Sequence, residues 1–312
     1  MRDKNFTAQK RKDIKRKDKR RKLFALCFSS KIFVFLCFSG LIFLSANLAA
    51  AQKIAVIAPE NIGHSSKYAA KMHDSLGAKF NILDESLSET AFRSAAAENP
   101  FNLSIDAAKT IGAAIGCEYY ALVKSKNQRR STFEKKDFYE SFAVVYVVST
   151  RTGRLVFWKL QSFEAANETD AEKLLFASTD DLASEIYEKL KAATAKETGE
   201  NPARKIEEVP AENSIDEKNF RPPLPFKRIK PEYTRLAYVY DVTATIDVLV
   251  DVEADGAITK IEIARWAGFG LDESVAETVR KMNWRPAERN GKLLPMRVLL
   301  RYNFKRIEKE EF

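Results

Sequence analysis

The chain begins with a basic segment followed by an uncharged apolar stretch, and this pairing constrains everything that comes after it. Residues 1–22 contain twelve Lys or Arg and three Asp. The apolar run of residues 23–51 is interrupted only by Lys31, and its last 20 residues carry no charge. A basic flank before an apolar stretch stays in the cytoplasm, so we expect the rest of the chain to be exported and to fold outside it.

The end of the apolar run leaves two alternatives open. Ala49 and Ala51 fit the small-x-small pattern of a signal-peptidase site before Gln52. Twenty uncharged residues can also remain in the bilayer as an anchor. The sequence therefore predicts a periplasmic protein. It is either soluble after cleavage of the signal peptide or held in the inner membrane by residues 23–51.

The net charge of +9 first suggests a nucleic-acid partner, but its location argues against one. Almost all of the excess lies before or within the apolar run, and the remainder of the chain is close to neutral. A nucleic-acid-binding protein needs its basic charge on the folded surface. We therefore expect no nucleic-acid partner.

Residues with catalytic or ligand-binding chemistry are sparse after residue 51. Cys117 is the single cysteine there, and His64 and His73 are the only histidines in the chain. Neither the spacing of a zinc site nor a phosphate-binding or dinucleotide-binding glycine loop is present in the sequence. We expect no enzymatic activity, no metal site and no cofactor.

The first folded region, predicted at residues 53–195, alternates short apolar strands with amphipathic helices. The expected order is β-α-β-α-α-β-β-β-α, with a hairpin at Thr152 and Gly153 and a final helix over residues 169–193. Residues 54–58, 80–84 and 111–123 resemble envelope domains of the TolB amino-terminal, CsgG and penicillin-binding-protein-activator type. That resemblance implies an α/β sandwich that binds partners and has no active site.

A tether is predicted between this region and the next. Residues 196–219 contain seven acids, four bases, Pro202 and Pro210, with few large apolar residues. Such a composition favours a solvated, flexible linker.

The region predicted at residues 220–307 carries the most informative pattern. Residues 242–253 alternate between apolar and polar side chains, which predicts a half-buried strand with Asp247 and Asp251 on its solvent face. Asp255 and Gly256 predict a hairpin turn, and Asp272 is favourably placed at the start of a helix. Residues 296–305 alternate again and predict a closing strand.

These elements, taken in order, resemble the TonB carboxy-terminal domain over about 80 residues. The resemblance rests on a run of short motifs, namely Pro231, Tyr233, Ala237, Asp255-Gly256, Gly268, Leu271-Asp272, Trp284-Arg-Pro286-Ala287, Asn290-Gly291 and Tyr302-Asn-Phe304. Thr234 replaces the proline that the family has after the tyrosine. The predicted fold is thus α+β, with an N-terminal α/β sandwich and a C-terminal three-stranded antiparallel sheet with a packed helix.

The resemblance implies docking to an outer-membrane TonB-dependent receptor, whose extended peptide adds as a strand beside the last strand of the domain. The residues expected to contact the peptide are Tyr233, Arg297, Val298, Leu299, Leu300, Arg301 and Tyr302. The remaining motif residues are expected to build the fold. The alternative is that Arg297, Arg301 and Lys305 belong to a solvated face that discourages aggregation.

Two functions remain open from the sequence. One is a TonB-like energy transducer coupled to inner-membrane motor proteins. The other is a soluble periplasmic adaptor or assembly factor without force transmission. No histidine lies in residues 23–51, where the family's anchor helix usually carries one, and the family's long Pro-rich spanning segment is absent from the sequence.

Overall fold

The computed structural model describes residues 52–60, 63–132, 137–199, 206–210 and 219–306. The predicted leader, with Ala49 and Ala51, lies outside these residues. From Gln52 onward the chain forms one compact unit. Within the described part, no helix combines the length and the apolar character needed to cross a membrane.

A five-stranded sheet organises the N-terminal region. Its strands are β1 Lys53–Ile57, β2 Asn81–Ile82, β3 Tyr119–Arg130, β4 Phe138–Ser149 and β5 Leu155–Ala165. Its helices are α1 Gly63–Gly77, α2 Glu85–Ser94, α3 Ile105–Ile115, α4 Glu168–Ala177 and α5 Thr179–Gly199. The spatial order is β2-β1-β3-β4-β5, with β1 parallel to both neighbours and β3, β4 and β5 antiparallel.

The predicted order of strands and helices is confirmed, with one correction. The single helix expected over residues 169–193 is two helices that meet at Ser178. The Ser178 hydroxyl donates to the Leu175 carbonyl at 2.7 Å, and the Ser178 backbone N–H donates to the Leu175 and Phe176 carbonyls. Because serine competes in this way for backbone groups, it ends α4, and α5 begins at the next residue.

The two faces of this sheet are covered differently. Helices α1, α4 and α5 bury one face around Tyr68, Met72 and Leu182. Helices α2 and α3 cover only part of the other face. The rest of that face, including Tyr146 and the partly buried Trp158, packs against the C-terminal region. One apolar core therefore runs from the first sheet into the second.

The C-terminal region is built on a second, four-stranded sheet. Its longer strands are β9 Ala244–Val252, β10 Ile258–Arg265 and β14 Met296–Phe304, and its helices are α6 Arg235–Val239 and α7 Leu271–Arg280. The short strands of the region are β6 Glu207–Glu208, β7 Phe220–Arg221, β8 Leu224–Pro225, β11 Trp284–Arg285, β12 Ala287–Arg289 and β13 Lys292–Leu294. The second sheet has the order β10-β9-β14-β6, while β11-β8 and β13-β12-β7 form two small sheets of their own. The predicted three-stranded antiparallel sheet with its helix α7 is confirmed, and β6 adds to it in parallel.

The polar face of β9 is not solvated as the sequence suggested. Asp247 and Asp251 are only 5% and 4% exposed. Arginine side chains from the neighbouring strands lie over them and form ion pairs with both carboxylates. The period-2 pattern identifies the strand correctly, but it does not reveal that long side chains cover its polar face.

The junction between the two regions is built around the turn after β10. Trp266 is 1% exposed, its ring centroid lies 5.6 Å from that of Tyr146, and its indole N–H donates to the Gly153 carbonyl at 3.4 Å. The side-chain amide of Asn102 donates to the Thr245 and Trp266 carbonyls at 2.9 and 2.7 Å and accepts from the Thr245 N–H at 3.0 Å. A side chain of the first region thus satisfies backbone groups of the second.

The described part of the predicted linker contains ordered elements. Helix α5 continues to Gly199, and Glu207 and Glu208 form β6. The division into residues 53–195, 196–219 and 220–307 stays a prediction, since the contacts join the regions on either side of the linker.

Candidate strand-binding site

Strand β14 carries most of the residues that the sequence predicted to meet a partner. It pairs with β9 along its whole length, from Met296 opposite Val252 to Phe304 opposite Ala244. On its other side, the described residues contribute only the two pairs made by β6. Most of β14 is therefore an edge.

The direction of the backbone groups along this edge follows from two hydrogen bonds. The Arg297 carbonyl accepts from the Val209 N–H at 3.1 Å, and the Arg301 carbonyl accepts from the Arg228 guanidinium at 2.7 Å. Because the N–H and C=O of one strand residue point to the same side and alternate along the chain, Leu299 and Asn303 also point away from β9. These are the groups that an added strand would use.

The side chains of β14 divide between two faces. Met296, Leu300, Tyr302 and Phe304 are buried against the core. Leu299 lies on the opposite face and is 51% exposed. Of the predicted contact residues, Leu299 is thus the one that offers both outward backbone groups and an exposed apolar side chain.

The predicted contact residues Arg297 and Arg301 are occupied within the sheet. Arg297 donates two hydrogen bonds to Asp251, at 2.6 and 2.9 Å, and Arg301 donates two to Asp247, at 2.6 and 3.0 Å. Burial alone would raise the pKa of Asp247, but hydrogen bonds from Arg301 and Arg265 outweigh it and hold that pKa below its ordinary value. These pairs cross from β14 to β9 and fix the face of the sheet beside the edge.

Tyr233, the remaining predicted contact residue, belongs to the segment before α6. Its hydroxyl lies within donor range of the Ala237 and Val242 carbonyls, at 3.1 and 2.8 Å. Its ring stacks on Phe304 with the centroids 6.3 Å apart. Tyr233 therefore ties this segment to the end of β14 and is half-buried there.

The motif residues occupy turns and packed positions. Pro231, Ala237, Leu271 and Trp284 are buried. Gly256 has φ of 88°, and a side chain there would lie 2.5 Å from the Trp284 carbonyl oxygen. Asp255 accepts from the Ala257 N–H at 2.9 Å within the same turn. Pro286 separates β11 from β12, and Gly291, with φ of 77°, lies in the β12–β13 turn.

Asp272 lies at the start of α7, as predicted, and it also binds the turn before the helix. Its carboxylate accepts from the Ala267 N–H at 3.0 Å and from the Gly268 N–H at 2.8 Å. Burial raises its pKa to about 7, while these two backbone N–H groups act in the opposite direction. Asp272 thus holds the turn that carries Trp266 into the junction.

Three features near the edge were not foreseen from the sequence. Strand β6 comes from the predicted linker, Arg228 caps the Arg301 carbonyl, and Arg289 forms an ion pair with Glu207 at 2.6 Å. A two-residue strand in an acidic segment has no periodicity that could reveal it.

A histidine lies among serines elsewhere in the fold. His64 Nδ1 is 2.8 Å from Ser125 Oγ, and its Nε2 is 3.4 Å from Ser141 Oγ and 3.9 Å from Glu172 Oε1. Both serines are buried, and the Ser125 hydroxyl donates to a backbone carbonyl of β4. Burial lowers the pKa of His64. The cluster joins α1 to the sheet, and its buried hydroxyls are not presented to a substrate.

A cleft near the junction has a volume of about 710 Å³. Phe101, Tyr146, Tyr240 and Phe269 are among its walls. Among the described residues, no group of three or more His, Cys, Asp or Glu side chains is arranged to hold a metal ion.

The chain is similar to several solved structures at low identity. The solution structure of the Pseudomonas aeruginosa TonB C-terminal domain is 24% identical, over 32% of this chain and 95% of that one, with a TM-score of 0.24. A lipoprotein from Neisseria meningitidis is 13% identical, over 43% and 99%, with a TM-score of 0.31. The LpoB C-terminal domain from Salmonella enterica is 9% identical, over 39% and 90%, with a TM-score of 0.26.

A comparison with curated proteins gives no match. Residues 229–306 match the family model described as the Gram-negative bacterial TonB protein C-terminal. This range begins just before Pro231 and ends just after β14, so it contains every motif on which the resemblance rested. Residues 229–306 therefore form a TonB-like C-terminal domain.

Proposed function

We propose that this protein works in the cell envelope as a TonB-like docking protein, which binds an outer-membrane TonB-dependent transporter by strand addition at β14. The observation that carries the proposal is the edge itself. Leu299 and Asn303 direct backbone groups away from β9, on a strand that is firmly held on its other side. Extended peptides bind such edges through main-chain hydrogen bonds.

The surroundings of the edge favour binding over catalysis. The ion pairs of Arg297 and Arg301 tie β14 to β9 and keep the face beside the edge polar. Leu299 supplies the exposed apolar contact in the middle. A partner strand would gain hydrogen bonds from the backbone and specificity from these side chains, and neither requires a reacting group.

A cross-linking experiment tests the docking step. A photo-reactive amino acid at Leu299 is expected to form an adduct with the periplasmic extension of an outer-membrane transporter in living cells. Leu293 on β13 is the matched control, because its exposed fraction is 50% against 51% for Leu299. Equal adducts at both positions, or none with a transporter at Leu299, would overturn the proposal.

We further propose that the protein couples docking to energy from the inner membrane. The alternative is a soluble periplasmic adaptor without force transmission. The basic leader and apolar run support an inner-membrane anchor and motor proteins as partners, whereas Ala49 and Ala51 support cleavage. The N-terminal sequence and the membrane fractionation of the native protein separate them. A membrane-bound, full-length chain supports the transducer, and a soluble chain beginning at Gln52 supports the adaptor.

A further inference from the structure

The beginning of the β14 edge is already occupied by the chain itself. Strand β6 runs parallel to β14, with Glu207 opposite Met296 and Glu208 opposite Arg297, and the Val209 N–H donates to the Arg297 carbonyl at 3.1 Å. This is the arrangement that an added partner strand would adopt. Where the proposed partner must pair, the chain has supplied a short strand of its own.

Charge fixes this short strand as much as backbone pairing does. Glu207 accepts from Arg289 at 2.6 Å, and the negative charge of Glu208 acts on Arg297. Both glutamates are exposed and Arg289 is half-buried. At the start of the edge, Arg289 and Arg297 thus lie beside the acidic side chains of an extended strand.

The outer side of β6 offers few groups for further pairing. Because the Val209 N–H points to β14, the backbone groups of its neighbours Glu208 and Pro210 point away from β14. Pro210 has no hydrogen to donate. The new edge that β6 creates is therefore shorter than the edge that it covers.

A second segment of the chain covers the far end of the same edge. Arg228 donates to the Arg301 carbonyl at 2.7 Å, and its guanidinium lies 5.1 Å from the centre of the Tyr302 ring. Between these two contacts lies Leu299. A partner strand that pairs along all of β14 has to displace both β6 and Arg228.

Resting on the proposed docking function, we infer that β6 is a built-in competitor for the β14 edge, and that the site it covers accepts an acidic, extended peptide running parallel to β14. The glutamates of β6 represent the side chains that the incoming peptide would carry. Because β6 belongs to the same chain as the edge, its effective concentration there is high, on the order of millimolar for segments that are close in the chain. An external peptide must therefore outcompete it.

The direct test uses a labelled synthetic peptide with the sequence of residues 205–211, titrated against the full chain in detergent by fluorescence anisotropy. Val209→Pro removes the N–H that bonds to β14, while Val209→Ala keeps it and is the matched control. We expect Val209→Pro to bind the peptide at least about tenfold more tightly than the wild type, because an edge that is free only a tenth of the time weakens the observed affinity by that factor. Val209→Ala should bind like the wild type.

Two further variants test the chemistry of the site. Glu207→Lys reverses the ion pair with Arg289 without changing the backbone, so it should also release β6 and raise peptide affinity. Arg289→Glu in the Val209→Pro background should reverse the gain. A peptide with the same residues in reverse order should bind more weakly than the forward peptide, since it cannot place its glutamates in the parallel register.

The outcomes separate this inference from the docking function. Unchanged peptide affinity in both Val209→Pro and Glu207→Lys, with circular dichroism confirming that both are folded, would overturn the inference even if transporters cross-link at Leu299. A rise in peptide affinity with no transporter adduct at Leu299 in any variant would uphold the self-pairing while removing the transporter as its partner.

Discussion

The β10 edge of the C-terminal sheet is closed by the N-terminal region, whereas, among the described residues, the β14 edge is covered only by short segments next to the domain. At the β10 edge, Ser104 bridges to Arg265, the Trp266 N–H donates to the Leu103 carbonyl at 3.3 Å, and Arg154 pairs with Glu262 at 2.7 Å. At the β14 edge, the cover is the two residue pairs of β6 and the guanidinium of Arg228.

The difference lies in how much apolar surface supports each closure. Trp266 and Phe269 are buried beside the β10 edge, so opening it would expose a shared core. The residues of β6 that pair with β14 are exposed glutamates, so displacing them exposes little apolar surface. Hydrophobic burial scales with area, and we therefore expect one edge to be permanent and the other to be exchangeable.

The largest expected effect comes from removing the aromatic side chain at the permanent edge. Trp266→Ala is expected to lower the free energy of unfolding by about 3–5 kcal/mol, because it leaves a cavity and removes the indole bond to Gly153. Phe226→Ala is the matched control, since it removes a large aromatic side chain that is 75% exposed. Urea denaturation of both variants checks this, and a loss below about 1 kcal/mol for Trp266→Ala would contradict it.

The free energy of unfolding should also depend on pH, because the buried carboxyl of Asp272 holds the turn that carries Trp266. Burial raises the pKa of Asp272 from its ordinary value of 3.8 to about 7, so the folded state binds this proton more tightly than the unfolded state. The contribution of Asp272 to stability therefore falls as the pH rises from about 4 to about 7.

The measurement compares wild type with Asp272→Asn, whose side chain does not titrate. The free energy of unfolding of the wild type, relative to that of Asp272→Asn, should fall by about 2–3 kcal/mol between pH 5 and pH 8. Glu277→Gln removes an exposed carboxyl from the same helix and serves as the control. A difference that stays constant over this range would show that Asp272 has no raised pKa.

Asn102 tests the polar part of the permanent edge. Asn102→Ala is expected to cost about 2 kcal/mol, because it leaves the Thr245 N–H and the buried Trp266 carbonyl without the partner that the amide provides. Asn303→Ala removes the same side chain at an exposed position on β14 and should change stability little. Similar losses in the two variants would mean that the junction does not depend on this amide.

The smallest expected effect is at the exchangeable edge. Arg289→Ala removes the ion pair with the half-exposed Glu207 and should change the free energy of unfolding by less than about 1 kcal/mol, as for other surface pairs. Thermal or urea unfolding would reveal a larger loss. Such a loss would mean that β6 is part of the folded core rather than a displaceable cover.

The sequence predicted the elements of the C-terminal domain well because their signals are local. Alternation located β9, Asp255 and Gly256 located the hairpin, and the strand at residues 296–305 agrees with β14. Burial of Asp247 and Asp251 could not be predicted, since it depends on arginines that are distant in the sequence and adjacent only in the sheet.

The contacts at the junction and the covering of the β14 edge could not be predicted from the sequence, for a related reason. Asn102 and Trp266 lie far apart in the chain, and neither belongs to a motif that indicates contact with the other. The acidic composition around Glu207 predicts solvation, and solvation is compatible with a short edge strand whose side chains are exposed. Local patterns therefore revealed the candidate edge but not the segment that covers it.

Two backbone amides allow the most direct test of the contrast between the edges. The Val209 N–H donates across the β14 edge to Arg297, and the Trp266 N–H donates across the β10 edge to Leu103. Hydrogen exchange of the native protein should show the Val209 amide exchanging through local opening, at a rate insensitive to low denaturant, and the Trp266 amide exchanging only through global unfolding. Equal protection of the two amides would contradict the account, because it would mean that β6 opens only when the whole domain unfolds.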